Sequence, residues 1–353
     1  MKQGWQIAGA FVGIIVGAGF ASGQEILQYF TSFGAWSIAG SLVAMVVFAF
    51  LGKHLAQLGT DLQTVSHKDV IYLIGGRVVG TILDVLITFF LFGVAAVMFA
   101  GSGAAMHQTF GMSPTIGSSL LALLTVLTLV LNIENLIKVI GAVTPYLLGI
   151  IFVILVYSMF TSDLTFTEQH ELAVAQPAAA PNWLLGALLY VSYNLAAGAA
   201  LLIVMGGTVK DRRVSGFGGG MGGFIAGMLI LLINIAMLMK MDVVSGYDMP
   251  TLALAEQIHP AVGTLMSIAL IGMMYNTAVG MLYAFTVRFF DPNSRSFKWI
   301  IVTVGVLGFF ASLVGFTSLV GQVYAAMGYI GFALMIGTLW TIIKRRHMHQ
   351  SNA

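Results

Sequence analysis

The middle of the first long hydrophobic segment reads GAGFASGQE at residues 17–25. Glycine is unfavourable inside a helix, and a carboxylate such as Glu25 is costly at membrane depth. A spanning segment that carries both therefore has a function besides spanning. We interpret the stretch as a break in a helix that lines a binding site, because backbone groups freed in lipid need partners from protein, water or a solute.

Composition fixes the class of protein. Of 353 residues, 59% are hydrophobic and only 8% are charged, so most of the chain lies in a lipid bilayer. We predict an all-α polytopic membrane protein whose partners are the bilayer and a small molecule, with no nucleic acid. The chain has no cysteine, which excludes disulfides and thiolate metal sites. No residue pattern specifies an oligomeric state.

Ten stretches are long enough to cross a bilayer, which takes about 20 residues each. They lie at roughly 5–29, 34–56, 78–106, 114–132, 135–161, 182–206, 214–239, 261–289, 297–316 and 318–343. The polar stretch 162–181 separates five helices from five, and because five is odd, the second set enters the membrane from the opposite side. We predict an inverted repeat: a first half at 1–161, an extracellular linker at 162–181, a second half at 182–343 and a basic cytoplasmic tail at 344–353.

The basic residues predict the orientation. With the amino terminus inside, all of the 15 lysine and arginine residues except Lys240 fall at cytoplasmic positions. Lysine and arginine in short loops are retained on the cytoplasmic side. We therefore predict a multi-pass protein with both termini in the cytoplasm.

A second interruption is predicted in the sixth helix. Inverted-repeat transporters bind solutes where discontinuous helices of the two halves meet. The sixth helix carries Tyr190, Tyr193, Asn194 and Gly198 about as far from its start as Gly17 is from the start of the first. We predict that helices 1 and 6 are both broken and together form a solute site.

Alternative roles stay open for several of these residues. The spacing of Gly13 and Gly17, repeated by Gly19 and Gly23, also suits close packing of helices. Glu25 would neutralise a solute ammonium or exchange a coupling proton, and its alternative is a capping or water-facing carboxylate. The polar residues of the second half either line the solute cavity or form hydrogen bonds between helices: Tyr190, Tyr193, Asn194 and Tyr275.

The run GAGFASGQE in an opening helix resembles the YkvI-like bacterial membrane proteins. That family is similar in turn to the amino acid–polyamine–organocation superfamily, which has the five-plus-five LeuT fold. The ten-helix arrangement extends the resemblance over essentially the whole chain. The resemblance implies a bacterial cell (inner) membrane and alternating access around an occluded site.

The resemblance also implies site residues. The solute carboxylate would be received at Gly17 and Gly19, within a substrate site that continues through Phe20, Ala21, Ser22, Gly23 and Glu25. A sodium ion would be held by backbone carbonyls and two side-chain oxygens: those of Gly13, Val16, Met273, Asn276 and Thr277. The superfamily tyrosine of the third helix has no equivalent, since phenylalanines such as Phe90 occupy the middle of that helix.

These observations predict a function. We expect a secondary active transporter, a symporter of a small zwitterionic, amino-acid-like solute driven by Na⁺ or H⁺. The alternative is an amino-acid-sensing receptor of the same fold without net transport. We expect no enzyme, because no metal-binding or nucleophile motif is present, and no cofactor other than Na⁺ as a coupling ion.

The glycine-rich stretch 218–223 matches the pattern GxGxxG. No strand precedes it, as a dinucleotide site would require, and it lies at the start of an apolar helix. We therefore predict that it serves close packing of the seventh helix.

Overall fold

The computed structural model describes residues 1–63, 67–131, 143–161, 164–294 and 296–351. Within these ranges the regular structure is helical and contains no strand. The predicted all-helical class is confirmed. The predicted boundary between the fourth and fifth helices lies in 132–142, outside the described residues.

Among the described residues, the first half contains seven helical elements and one 3₁₀ turn. They are α1 (Lys2–Ile15), α2 (Ala18–Ser22), α3 (Gln24–Tyr29), the turn Thr31–Phe33, α4 (Trp36–Leu62), α5 (His67–Phe110), α6 (Pro114–Leu131) and α7 (Val143–Phe160). The elements α1 to α3 together occupy the first predicted span. The first span is therefore interrupted within the stretch 17–25.

The second half begins after the linker and ends in a helix with an unusual segment. Its elements are α8 (Phe166–Val174) in the linker, α9 (Trp183–Gly207), α10 (Arg212–Leu238), α11 (Met241–Val244), α12 (Pro250–Ile258), α13 (Pro260–Thr286), α14 (Phe297–Ser312), α15 (Phe316–Leu319), the π-helical segment Val320–Tyr324 and α16 (Ala325–Ser351). A π-helical turn inside an α-helix is rare and is frequent at functional sites.

Among the described residues, 6 helices are long and apolar enough to cross a membrane, or 7 if the bent α9 is one span. The predicted count of ten is not established by this criterion. The first span is divided into short helices, and the apolar helix Phe297–Ser312 is shorter than a full crossing. The chain is a multi-helix membrane protein, and the five-plus-five arrangement stays a prediction.

The linker contains a helix that we did not predict. The Thr165 N–H donates to Glu168 Oε2 at 2.8 Å, and the Glu168 N–H donates to Thr165 Oγ1 at 3.4 Å. This capping box begins α8, and the hydrogen bonds from Thr165 lower the pKa of Glu168. Gln169 then donates to Asp242 at 2.7 Å, so α8 is fixed to the segment after α10.

Lys240, the exception to the charge pattern, is buried. Its side chain is 1% exposed and its ammonium donates to the Thr161 carbonyl. Lys240 therefore joins the end of α10 to the residue after α7, a structural role that is consistent with its place outside the charge pattern.

Close packing of α10 against α4 is confirmed. A side chain at Gly219 would overlap the Gly52 carbonyl, and one at Gly223 would overlap the backbone of Phe48. Thr60 Oγ1 reinforces the contact by donating to the Ser215 hydroxyl of α10 at 2.7 Å. The glycine-rich stretch 218–223 thus lets helices approach at backbone distance.

The predicted interruption of the sixth helix is a bend. Helical backbone continues from Trp183 to Gly207. At residue 200 the helix axis bends by 47°. Asn194 Nδ2 donates to the Tyr190 carbonyl at 3.0 Å, a contact within the continuous helix before the bend. The alanine- and leucine-rich sequence after Asn194 favours helix, so the predicted unwinding at 190–198 is wrong: the chain stays helical there and bends just beyond, at residue 200.

Candidate functional site

The first helix breaks at the glycine run, as predicted. Val16 has φ −80° and ψ 68°, the inverse γ-turn, and the Gly17 N–H donates to the Ile15 carbonyl at 2.9 Å. A second break lies at Gly23, whose φ of 81° is left-handed and favours glycine. The short α2 is therefore held between two turns.

The first break leaves backbone oxygens available. No backbone N–H of the described residues donates to the carbonyls of Gly13, Ile14 or Val16. A side chain built on Gly13 or Gly17 would meet nothing within 4 Å, so this pair does not serve helix contact. Gly23, in contrast, packs against Thr251 of α12. The packing alternative thus applies to Gly23, and the binding alternative stays for Gly13 and Gly17.

Glu25 lies at the centre of the site. The turn at Gly23 folds α3 so that the Glu25 side chain returns over α2, where it is 5% exposed. The Tyr193 hydroxyl donates to Glu25 Oε2 at 2.6 Å. A methyl group on Gly19 would overlap Glu25 Oε1, so Gly19 accommodates this carboxylate.

Four tyrosines surround the carboxylate region. Tyr193 lies 5.2 Å from Tyr190 and 5.7 Å from Tyr29 between ring centroids, and it stacks on Tyr324 at 5.1 Å. The hydroxyls of Tyr29 and Tyr190 and the Gln24 Oε1 are buried without a hydrogen-bond partner among the described residues. Buried polar atoms normally have partners, so these atoms are available to a ligand or to water.

One side of the site is covered. Thr251 Oγ1 donates to the Ala21 carbonyl at 2.5 Å and so fixes α12 over α2. Gln28 Nε2 donates to the Thr317 carbonyl at 2.9 Å, and Thr317 Oγ1 donates to Asp248. We call Gln28, Thr317 and Asp248 the outer latch, because they join α3, α15 and the segment before α12 on the side that the predicted orientation places outside.

The opposite side is uncovered along α1. Gln6, Gly9 and Gly13 are exposed, and Gly17 is partly exposed. A side chain built on any of these glycines would meet no atom within 4 Å. We call these four residues the open stripe. It leads from the beginning of the chain to the first break.

Other predicted residues have structural contacts. Ser22 Oγ donates to the Gly19 carbonyl at 2.7 Å and accepts from the Gln24 N–H at 3.2 Å, so it stabilises the second turn. Phe20 and Ala21 are fully buried. The Tyr275 hydroxyl pairs with Thr128 at 2.6 Å, which favours the helix-to-helix alternative for this residue. Gly198 lies against Ile14 of α1.

The predicted cation ligands from the second half lie on α13, which contacts α2. Met273 is buried, whereas Asn276 and Thr277 are partly exposed. The amide of Asn276 and the hydroxyl of Thr277 form no hydrogen bond within the described ranges. Oxygen atoms of this kind suit hard cations. The described residues contain no group of three or more histidine, aspartate or glutamate side chains that could hold a metal ion.

Sequence reasoning missed several residues of the site. Gln28 and Tyr29 follow Glu25 by three and four positions, and that spacing on one helix face could have indicated them. The π-helical segment brings Tyr324 to Tyr193 and Gly321 to Gln28 Oε1. No sequence signal indicates a π-helical segment at 320–324.

Within the described residues, the all-helical architecture, the doubly broken first helix and the bent α9 define a multi-helix membrane protein with a discontinuous first span. No protein-family model matches the chain. It is similar to the uncharacterized membrane protein YkvI of Bacillus subtilis (strain 168), at 28% identity over 343 residues, 97% of this chain and 96% of YkvI. It is also similar to the uncharacterized protein YyaD of the same strain, at 24% identity over 327 residues, 92% of this chain and 93% of YyaD.

Solved structures share the fold. A manganese transporter of Eremococcus coleocola matches with a TM-score of 0.58 at 16% identity, covering 96% of this chain and 78% of the transporter. MhsT in complex with L-phenylalanine matches with a TM-score of 0.56 at 16% identity, covering 96% and 87%. The resemblance to YkvI-like proteins is therefore confirmed, and the chain shares the fold of these two solved structures.

Proposed function

We propose that this protein is a secondary active transporter of a small amino-acid-like solute that carries an ammonium group. It acts by alternating access in the bacterial plasma membrane, with both termini in the cytoplasm, and Na⁺ or H⁺ drives it. The hydrogen bond between Tyr193 and the buried Glu25 carries the proposal. Buried ionisable residues of membrane proteins pair with one another or mark solute and ion pathways.

The solute ammonium faces Glu25 in this proposal. A buried carboxylate favours a cation, and the rings of Tyr29, Tyr193 and Tyr324 add cation–π attraction. Because Glu25 occupies the space over Gly19, a solute carboxylate there would meet a like charge. We therefore assign the solute carboxylate to the uncrowded backbone at Gly17, which revises the expectation for Gly19.

Two coupling ions are compatible with the site. For Na⁺, the carbonyls of Gly13 and Val16 lack backbone donors, and Asn276 and Thr277 supply further oxygens from α13. For H⁺, Glu25 is the acceptor. We do not propose manganese as the substrate, although one structural relative is a manganese transporter. The described residues contain no cluster of three or more carboxylate and imidazole side chains that could hold this ion.

The covered and uncovered sides support alternating access. The outer latch covers α3 on one side, while the open stripe of α1 is free on the other. A carrier requires both states in turn around one site. In the proposed cycle we assign this arrangement to the inward-facing state. The solved structures that share the fold are transporters, which supports a carrier over an enzyme.

Uptake into proteoliposomes tests the function. We expect labelled amino acids or amines to accumulate when a Na⁺ or a pH gradient is imposed and not without a gradient. Glu25→Gln should reduce uptake at least tenfold, because the ammonium loses its counter-charge, worth about 1.5 kcal/mol or more. Glu171→Gln, the same change on an exposed linker residue, should transport like the parent.

The two gradients distinguish the coupling ions. If Glu25 carries the proton, the pH dependence of residual uptake disappears in Glu25→Gln, and Na⁺ has no effect. If Na⁺ is coupled, the Na⁺ dependence persists in that variant. Saturable binding without gradient-driven accumulation of any tested solute would contradict transport and support the receptor.

A further inference from the structure

A cleft of about 430 Å³ lies between α4 and the first turns of α10. Its lining combines two cations, one amide and an apolar floor: Lys53, Gln57, Arg213, Gly216, Phe217, Gly220 and Met221. We propose that this cleft binds the phosphate head group of an anionic phospholipid. The proposal concerns a second site and does not depend on the proposed transport function.

The two cations of the cleft are available to an anion. Neighbouring Arg212 pairs with Asp61 at 3.4 Å, but no carboxylate of the described residues lies within ion-pair distance of Lys53 or Arg213. Asp211 accepts only the backbone N–H of Arg213, at 2.7 Å. Basic pockets between helices at the cytoplasmic side bind anionic head groups.

Glycine keeps the cleft open. A side chain built on Gly220 would begin 3.6 Å from the Cβ of Lys53, an ordinary contact. A larger side chain would therefore extend into the cleft without a backbone clash. Gly216 allows Gln57 to pack against α10, where Gln57 Nε2 donates to the Arg212 carbonyl at 3.3 Å. The amide is thus fixed beside the cations.

The walls of the cleft continue into surfaces that suit acyl chains. On α4, Val46 and Phe50 are 64% and 40% exposed and share a helix face with Lys53. On α10, Phe224 is 43% exposed and follows Phe217 by seven positions. A phospholipid uses both the cations and these apolar side chains, whereas free phosphate would use the cations alone.

The cleft also lies at the depth of head groups. Trp36 begins α4 and stacks on Trp183 at 5.6 Å, an aromatic pair typical of a membrane interface. Lys53 follows 17 residues later, which is roughly 25 Å of helix and close to the hydrocarbon thickness of about 30 Å. Lys53 therefore lies near the opposite membrane interface. Exposed Trp5, whose ring packs on Phe217 at 5.5 Å between centroids, lies beside the cleft at this interface.

Melting of the full-length protein in neutral detergent tests this site. We expect phosphatidylglycerol to raise the melting temperature, while phosphatidylcholine and inorganic phosphate at equal concentration do not. Lys53→Ala/Arg213→Ala should need roughly tenfold more phosphatidylglycerol for the same shift. Gly220→Leu, which fills the cleft and retains both cations, should lose the same response.

Control variants make the outcome decisive. Lys210→Ala/Lys298→Ala removes two exposed cations outside the cleft and should respond like the parent. An unchanged response in Lys53→Ala/Arg213→Ala or in Gly220→Leu would overturn the proposal, as would an equal loss in the control. Equal stabilisation by phosphatidylcholine would also overturn it. Equal stabilisation by inorganic phosphate would overturn the assignment to a lipid and identify a free anion as the ligand.

Discussion

Gly19 and Glu25 show how one residue determines the role of another. The sequence suggested that Gly19 receives a solute, but the Glu25 carboxylate fills the space where a Gly19 side chain would begin. The glycine is needed because a carboxylate folds back onto its own half-helix. In the proposed site, the Glu25 side chain therefore receives the solute ammonium, and the backbone at Gly17, not Gly19, receives the carboxylate.

Gly19→Ala tests this relation. The added methyl group must displace the Glu25 carboxylate from Tyr193, so we expect solute uptake to fall at least tenfold. The displaced atom is the end of a flexible side chain, so the melting temperature should change by only a few degrees. Gly9→Ala on the open stripe is the matched control and should leave uptake unchanged. Normal uptake by Gly19→Ala would contradict the placement of Glu25.

Tyr193→Phe tests the hydroxyl that orients the carboxylate. A hydrogen bond to a charged group contributes roughly 1.5–3 kcal/mol, so solute affinity should fall about tenfold or more. Tyr275→Phe loses a hydroxyl with an equally short hydrogen bond, to Thr128, outside the site. This control should lower stability by about 1 kcal/mol and leave affinity unchanged. Binding isotherms and melting curves of both variants give the comparison.

At the scale of elements, the second break isolates α3 as a separate unit. Gly23 turns the chain, and α3 is then held by Gln28 in the outer latch and by Thr31, whose hydroxyl donates to Asn234 at 2.9 Å. α3 is a short helix of six buried residues, and its displacement does not require unpacking of the α4–α10 contact. We therefore regard α3 as the moving part of the covered side.

Gln28→Leu tests the outer latch. Loss of one neutral hydrogen bond, about 1 kcal/mol, should raise the fraction with an open outer side about fivefold. Ser32→Cys, only 4% exposed in the closed arrangement, reports this as faster reaction with a water-soluble thiol reagent. Gln176→Leu is the control, because that amide joins the linker to Ser245 and not to α3. Equal labelling in both variants would contradict a latch.

The sequence was sufficient for the elements whose signal is local. The glycines at 17–23 predict the first break, and the long apolar stretches predict the long helices. It was insufficient where contacts between distant segments decide the backbone. Helix propensity after Asn194 competes with the break inferred from symmetry, and the result is a bend. The capping pattern of Thr165 and Glu168 is the local signal for the helix in the linker.

At the scale of the whole molecule, one side of the site is covered and the other is not. The outer latch joins three segments on one side, whereas the open stripe leaves α1 uncovered on the other. Composition and the charge pattern predicted a membrane protein, but no sequence feature predicts which of two access states is the more stable. That balance depends on small differences between two complete sets of contacts.

Gly13→Cys tests both the access state and the orientation. The parent chain has no cysteine, so a single thiol gives an unambiguous signal. We expect Gly13→Cys to react from the cytoplasmic side in inverted vesicles and to be protected by transported solute. Thr167→Cys on α8, exposed in the linker, should react only from the outside of intact cells. The reverse pattern would contradict the predicted orientation.

The number of residues in the π-helical segment determines which side chains reach the site. An α-helix turns by roughly 100° per residue, and the wider π turn holds an extra residue between Leu319 and Ala325. Deleting one residue there would restore an ordinary helix and rotate everything on one side of it relative to the other. Tyr324 would then leave Tyr193, or Gly321 would leave Gln28, although every side chain of the site remained. This region should therefore accept conservative substitutions far more readily than the loss of a single residue.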